Sequence, residues 1–229
     1  MNDSDPKRSN LILAHAVLSA GLNLASSVRT RGIRRSAVFL ALAAGLPAIG
    51  ELLVTGPLGL LRHRTRPRVA GVPIAVVLGW YGVIHGSFAV AWRVLERLSL
   101  GERTKRKALP PVAALVGVSL DLILDPAGLE AGLWEWRSDG AYAPEIEGTN
   151  GYRGVPIINY LGWTMLVAGV VSVYVLACEH EDERETLPAI LLLPYYLAAV
   201  VWALRRRKFR YLLYSAPFPL ALYAGLKDI

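Results

Sequence analysis

The sequence predicts an all-α fold, a polytopic transmembrane bundle of six to seven helices that forms a single integral membrane domain over residues 1–229. Composition is the first observation: 54% of the 229 residues are hydrophobic and 19% charged, and the mean hydropathy is +0.39. That is too apolar for a disordered chain and unusual for a soluble one. Second, the apolar residues are gathered into blocks near the ~20 residues that span a bilayer rather than spread in amphipathic patterns. Third, the 25 Lys and Arg cluster between those blocks, where a membrane protein meets lipid head groups.

Seven apolar segments follow in order: Leu11 to Val28, Ser36 to Val54, Val69 to Trp92, Leu109 to Leu124, Val155 to Cys178, Pro188 to Leu204 and Tyr211 to Leu226. At ~1.5 Å per residue each is long enough, or nearly so, to cross a ~30 Å core as a helix. The first is marked by His15 and Asn23 and the last is interrupted by Pro217 and Pro219, so six spans plus one interfacial or re-entrant element is the alternative. A polar and aromatic connection at about 125–154 joins the fourth and fifth segments. The basic clusters, Arg29 to Arg35, Arg62 to Arg68, Arg93 to Lys107 and Arg205 to Arg210, form no continuous groove, which argues against nucleic acid. With alternating sides the loops hold 13 against 12 basic residues, so the positive-inside rule sets no orientation. The single Cys178 excludes an internal disulfide. No internal repeat and no low-complexity tract is evident.

Acidic residues point to chemistry. Six of the 18 lie between Asp125 and Arg153 and five between Glu179 and Glu185, where water is expected to solvate them. Only Glu51 and Asp121 fall inside apolar segments, at a cost of at least ~2.5 kcal/mol each when ionised, so they are expected to face the bundle interior. The alternative is a structural role, hydrogen-bonded to a neighbouring helix. Asp125 follows Asp121 by one helical turn, and Pro126 is expected to end the helix near it. Two carboxyls so placed suit an acid and a base. Trp134, Trp136, Tyr142 and Tyr152 crowd the same connection, and Asn159 shares a helix face with Trp163. These aromatics read either as a membrane-interface belt or as a substrate surface. The four histidines have no ligand spacing, so no metal is expected, and His85 reads as a hydrogen-bonded packing residue. No phosphate loop, nucleophile elbow or dinucleotide fingerprint occurs.

The run Asp121-Leu-Ile-Leu-Asp125-Pro126, then Leu-Trp134-Glu-Trp136, then Tyr152-Arg-Gly154-Val-Pro156-Ile-Ile-Asn159-Tyr-Leu-Gly162-Trp163 resembles the carotenoid biosynthesis membrane-protein family. That family includes bisanhydrobacterioruberin hydratases and carotenoid 1,2-hydratases. A weaker match is Glu51 with Thr55-Gly56 and, further on, Gly71-Val72-Pro73 ahead of a tryptophan-bearing helix. The resemblance implies a multi-pass cell-membrane protein that adds water across the terminal double bond of an acyclic carotenoid, with no cofactor. The matching functional positions are Glu51, Asp121, Asp125 and Asn159. The expected roles are Asp121 as acid and Asp125 as water-orienting base with Glu51 facing them, three roles open to permutation. Trp134, Trp136, Tyr152 and Trp163 are expected to line the substrate. Expected partners are the carotenoid itself, membrane lipids and other membrane enzymes of the same pathway. The chain departs from the family pattern in extra polar residues between Asp139 and Asn150, in Arg153 and in the run Arg62 to Arg68. Two rival readings are a proton-coupled transporter and a non-catalytic carotenoid-handling subunit.

Overall fold

The structure, a computed structural model, describes residues 5–178 and 185–227. Five helical stretches in it are long and apolar enough to cross a membrane: α1 (Pro6–Thr55), α2 (Ile74–Glu96), α3 (Glu102–Glu130), α4 (Ile157–Ala177) and Leu187–Arg205. The last of these divides into α5 (Leu187–Ile190) and α6 (Leu193–Arg205), and α7 (Arg210–Tyr214) and α8 (Pro217–Leu226) follow. The bundle is built around α2, 72% of whose most apolar window is buried against 17% for α1.

The 50 residues of α1 are a hairpin rather than a rod. Gly32 leaves helical geometry at φ 76°, ψ 166°, a region open to glycine because it has no Cβ. In a straight helix Ser9 and Glu51 would stand about 63 Å apart. Instead Ser9 Oγ accepts from the Arg66 amide at 3.4 Å and Glu51 binds His63 at 2.9 Å, so both arms end on the same loop. The first two apolar segments are these arms. The seventh segment is the interrupted one: its pieces hold 5 and 10 residues, and α8 alone is about 15 Å long.

Two expectations are corrected at the hairpin tip. Arg31, grouped by sequence with head-group arginines, is buried at the turn, its Nε 2.6 Å from Glu185. Its guanidinium lies 4.7 Å from the ring centres of both Phe39 and Phe88. Glu185 is also buried rather than solvated, accepting from Ser26 at 2.8 Å and standing 3.2 Å from His85 Nε2. The other four acids expected in water between 179 and 184 lie outside the described residues. His85 is a hydrogen-bonded packing residue, as its setting beside Trp80 and Tyr81 suggests.

Pro126 does not end its helix: α3 continues to Glu130. A proline inside a helix frees the carbonyl four residues earlier, here that of Leu122. Tyr142 donates its hydroxyl to that oxygen at 2.7 Å. The connection therefore starts after Glu130, five residues later than expected, and it is folded.

Strands appear in both long loops: β1 (Leu61–His63), β2 (Arg68–Val69) and β3 (Val72–Pro73) before α2, and β4 (Trp134–Trp136), β5 (Tyr142–Glu147) and β6 (Arg153–Val155) before α4. β2 pairs with β3 and β5 with β6, while β1 pairs antiparallel with β4, Arg62 facing Glu135 at the centre. This layout exposes an internal repeat that the sequence reading overlooks. Gly71-Val-Pro-Ile-Ala-Val-Val-Leu-Gly-Trp80 and Gly154-Val-Pro-Ile-Ile-Asn-Tyr-Leu-Gly-Trp163 agree at seven of ten positions. Upstream, Glu51-Leu-Leu-Val-Thr55-Gly-Pro57 corresponds to Asp121-Leu-Ile-Leu-Asp125-Pro126 with one residue inserted. The second arm of α1, its strands and α2 are thus matched by α3, its strands and α4. The crossed β1–β4 pair joins the two units as a two-fold relation would.

Candidate active site

The repeat brings its equivalent residues together at the end of the bundle that carries the strands. Helix α3 presents Asp121 and Asp125 one turn apart, each 3% exposed, and continuing the helix through Pro126 is what keeps both on one face. From the first turn of α4, the Asn159 amide donates to Asp125 Oδ2 at 2.6 Å and to Asp121 Oδ2 at 3.3 Å. From β4, Trp134 Nε1 donates to Asp125 Oδ1 at 2.6 Å. Both oxygens of Asp125 are therefore held, whereas Asp121 Oδ1 takes no hydrogen bond among the described residues.

Glu51, the repeat counterpart of Asp121, occupies the last turns of α1. Trp80 Nε1 donates to its Oε1 at 2.9 Å, and His63 Nε2 stands 2.9 Å from its Oε2. It lies within electrostatic reach of both aspartates. Trp80 and Trp163, the tryptophans of the repeated decapeptide, stack with ring centres 3.8 Å apart and planes at 31°. They form an aromatic wall shared by the two units.

The structure thus gathers Glu51, Asp121, Asp125, Asn159, Trp134 and Trp163 into one region. Neither Trp136 nor Tyr152 hydrogen-bonds to its carboxyls among the described residues. Trp136 is buried in the apolar cluster of Leu61, Ile123, Leu129 and Val155, and Tyr152 is 44% exposed in the turn before β6. Among the described residues no group of three or more His, Cys, Asp or Glu is arranged to hold a metal.

Residues 10–224 match a family model described as carotenoid biosynthesis protein. The chain belongs to the carotenoid biosynthesis protein family. No curated protein and no solved structure matches it. For this member of the family, sequence reasoning missed three residues at the site. His63 is hidden in an arginine-rich run, although it is one of only four histidines. Trp80 was signalled by the repeat. Tyr160, 7% exposed, follows Asn159 and packs edge-on to Tyr142 at 4.9 Å. Its hydroxyl is buried without a partner, within electrostatic reach of Asp125 and Asp121.

Gly128, three residues past Asp125, allows the Trp134 contact. A Cβ at that position would overlap the Trp134 ring, so the indole lies directly against the α3 backbone with its N–H turned to Asp125. Gly128→Ala is expected to push the indole off the helix and destabilise the protein by about 1–3 kcal/mol, as overpacking does. Thermal unfolding in detergent checks this, and a variant as stable as the parent would show that Trp134 is not seated there.

Proposed function

We propose that this membrane protein is a carotenoid hydratase, adding water to the terminal double bond of an acyclic carotenoid taken from the bilayer to leave a tertiary alcohol. The observation that carries the reading is the unequal holding of three carboxyls within one aromatic site. Asp125 accepts a hydrogen bond on each oxygen, and Glu51 is engaged on both by Trp80 and His63. Asp121 alone keeps an oxygen open, which suits the group that hands a proton to substrate.

Protonation by Asp121 at the less substituted carbon uses the π electrons of the double bond to form the new C–H bond, leaving a tertiary cation and the Asp121 carboxylate. Indole faces from Trp134, Trp163 and Trp80 stabilise that cation by about 2 kcal/mol or more where water is excluded. A water held by Asp125 and Asn159, with the Tyr160 hydroxyl as a further hydrogen-bonding group, adds its oxygen to the cation and gives up a proton to Asp125. Return of that proton to Asp121 resets the site. The sum is substrate plus one water, with no redox step and no cofactor.

The internal comparison supports this division of labour. In the first repeat unit Thr55, Val76 and Val77 stand where the second has Asp125, Asn159 and Tyr160. Only the second unit has the groups that manage water, and the first contributes a carboxylate and half of the aromatic wall. A proton-coupled transporter would also be built on internal repeats, and the mass of the carotenoid product separates the two readings. The cell membrane, other pathway enzymes and surrounding lipids remain the proposed setting.

The test is expression in cells accumulating lycopene or bisanhydrobacterioruberin, with carotenoids read by mass. The expected result is the gain of one water per modified end group. No gain with either substrate would overturn the reading in favour of transport or carotenoid hand-over.

A further inference from the structure

Away from the carboxyl site, a file of polar side chains runs along the first arm of α1. His15, Ser19, Asn23, Ser27 and Arg31 recur at four-residue intervals, and the last four are buried. Each step of four residues advances about 6 Å and drifts about 40° around the helix, so the series makes one slowly turning stripe. Ser19 and Asn23 lie over Gly82 of α2, Ser19 Oγ and the Asn23 amide nitrogen each 3.6 Å from where a Cβ of Gly82 would stand. At the far end Arg31 reaches His85 of α2 at 3.1 Å and Glu185 at 2.6 Å.

The Asn23 amide nitrogen is satisfied by the Ser19 carbonyl at 2.9 Å. The Asn23 carbonyl oxygen, Ser27 Oγ, Tyr81 Oη, His85 Nδ1 and Ser87 Oγ are buried without a partner, on five residues with no exposed surface. Native proteins leave few such groups, because an unpaired buried donor or acceptor bears its full desolvation cost. These groups are neutral and mixed in kind, an amide acceptor among hydroxyls and a ring nitrogen, and Arg31 is already met by Glu185. A ligand that both donates and accepts, carries no charge and fits between small side chains is water.

We propose that the α1–α2 interface binds a file of internal water running from Asn23 past Ser27 and Tyr81 to the Arg31–Glu185–His85 cluster. This site is separate from the carboxyl site, and its test does not depend on hydratase activity.

X-ray radiolytic footprinting of the full chain in lipid nanodiscs generates hydroxyl radicals from bound water and oxidises the side chains beside it. Tyr81 and His85 are expected to be oxidised several-fold faster than Phe218, which is equally buried but lies outside the file. Tyr81→Phe is expected to lower the Tm, since the phenol loses its bonds to water. The combined Asn23→Leu, Ser27→Val variant is expected to slow Tyr81 oxidation. Protection of Tyr81 and His85 at the level of Phe218 overturns the proposal. So does an unchanged or higher Tm for Tyr81→Phe, the sign expected when a dry unpaired hydroxyl is deleted, and so does an unchanged Tyr81 oxidation rate in the double variant.

Discussion

Asp125→Asn is expected to cut hydration of an acyclic carotenoid by about 100- to 10,000-fold, the range associated with losing a positioned acid or base. The amide has nearly the size of the carboxylate, so the fold is expected to survive. Its chemistry does not match the site: Trp134 and Asn159 both donate to Asp125, and an asparagine would turn an NH2 toward one of those donors. Proton acceptance from water would also be lost. Asp121→Asn is expected to fall as far, because it removes the one carboxyl of the three at the site that keeps an oxygen open. Glu51→Gln is expected to lose less, since its parent is engaged by Trp80 and His63 and receives nothing from Asn159. Product mass per unit of membrane-inserted protein measures all three. Wild-type turnover in the two aspartate variants would refute the assignment, and a Glu51→Gln loss as deep as theirs would exchange the roles.

A second large effect is expected at the hairpin tip. Glu185→Ala removes the carboxylate that stands 2.6 Å from the buried Arg31 guanidinium, and breaking a buried pair from one side costs about 3–5 kcal/mol. Replacing both, Arg31→Met with Glu185→Leu, is expected to recover most of that loss, because two apolar residues leave no buried charge uncompensated. Unfolding of the single and double variants in detergent separates the two cases. If Glu185→Ala stayed within about 0.5 kcal/mol of the parent, as ordinary surface substitutions do, the pair would not be a buried one in the membrane.

What the sequence discloses here depends on the range of the interaction. Membrane-length apolar blocks are visible because each is set by its own residues. Asp121, Asp125 and Asn159 are visible because a carboxyl or amide in an apolar segment needs a reason to be there. Pro126 misleads because its local preference is overridden by Tyr142, 16 residues on, which satisfies the carbonyl that the proline frees. Arg31 misleads for the same reason on a longer scale: an arginine in a basic cluster reads as a head-group contact until Glu185 arrives from the far end of the chain. The repeat is written in the sequence but masked, since 15 residues separate Thr55 from Gly71 and 28 separate Asp125 from Gly154. Only the β1–β4 pairing and the stacked Trp80 and Trp163 put the two copies side by side.

The α1 hairpin also carries information about how the protein is made. Its tip is synthesised early, yet the carboxylate that Ser26 and Arg31 share lies 159 residues beyond Ser26. Throughout that interval the nascent chain holds an arginine whose carboxylate partner in the finished bundle, Glu185, has yet to be made. The finished contacts of the tip therefore join residues from opposite ends of the chain. A chain that stops short of residue 185 lacks the carboxylate that Ser26 and Arg31 share.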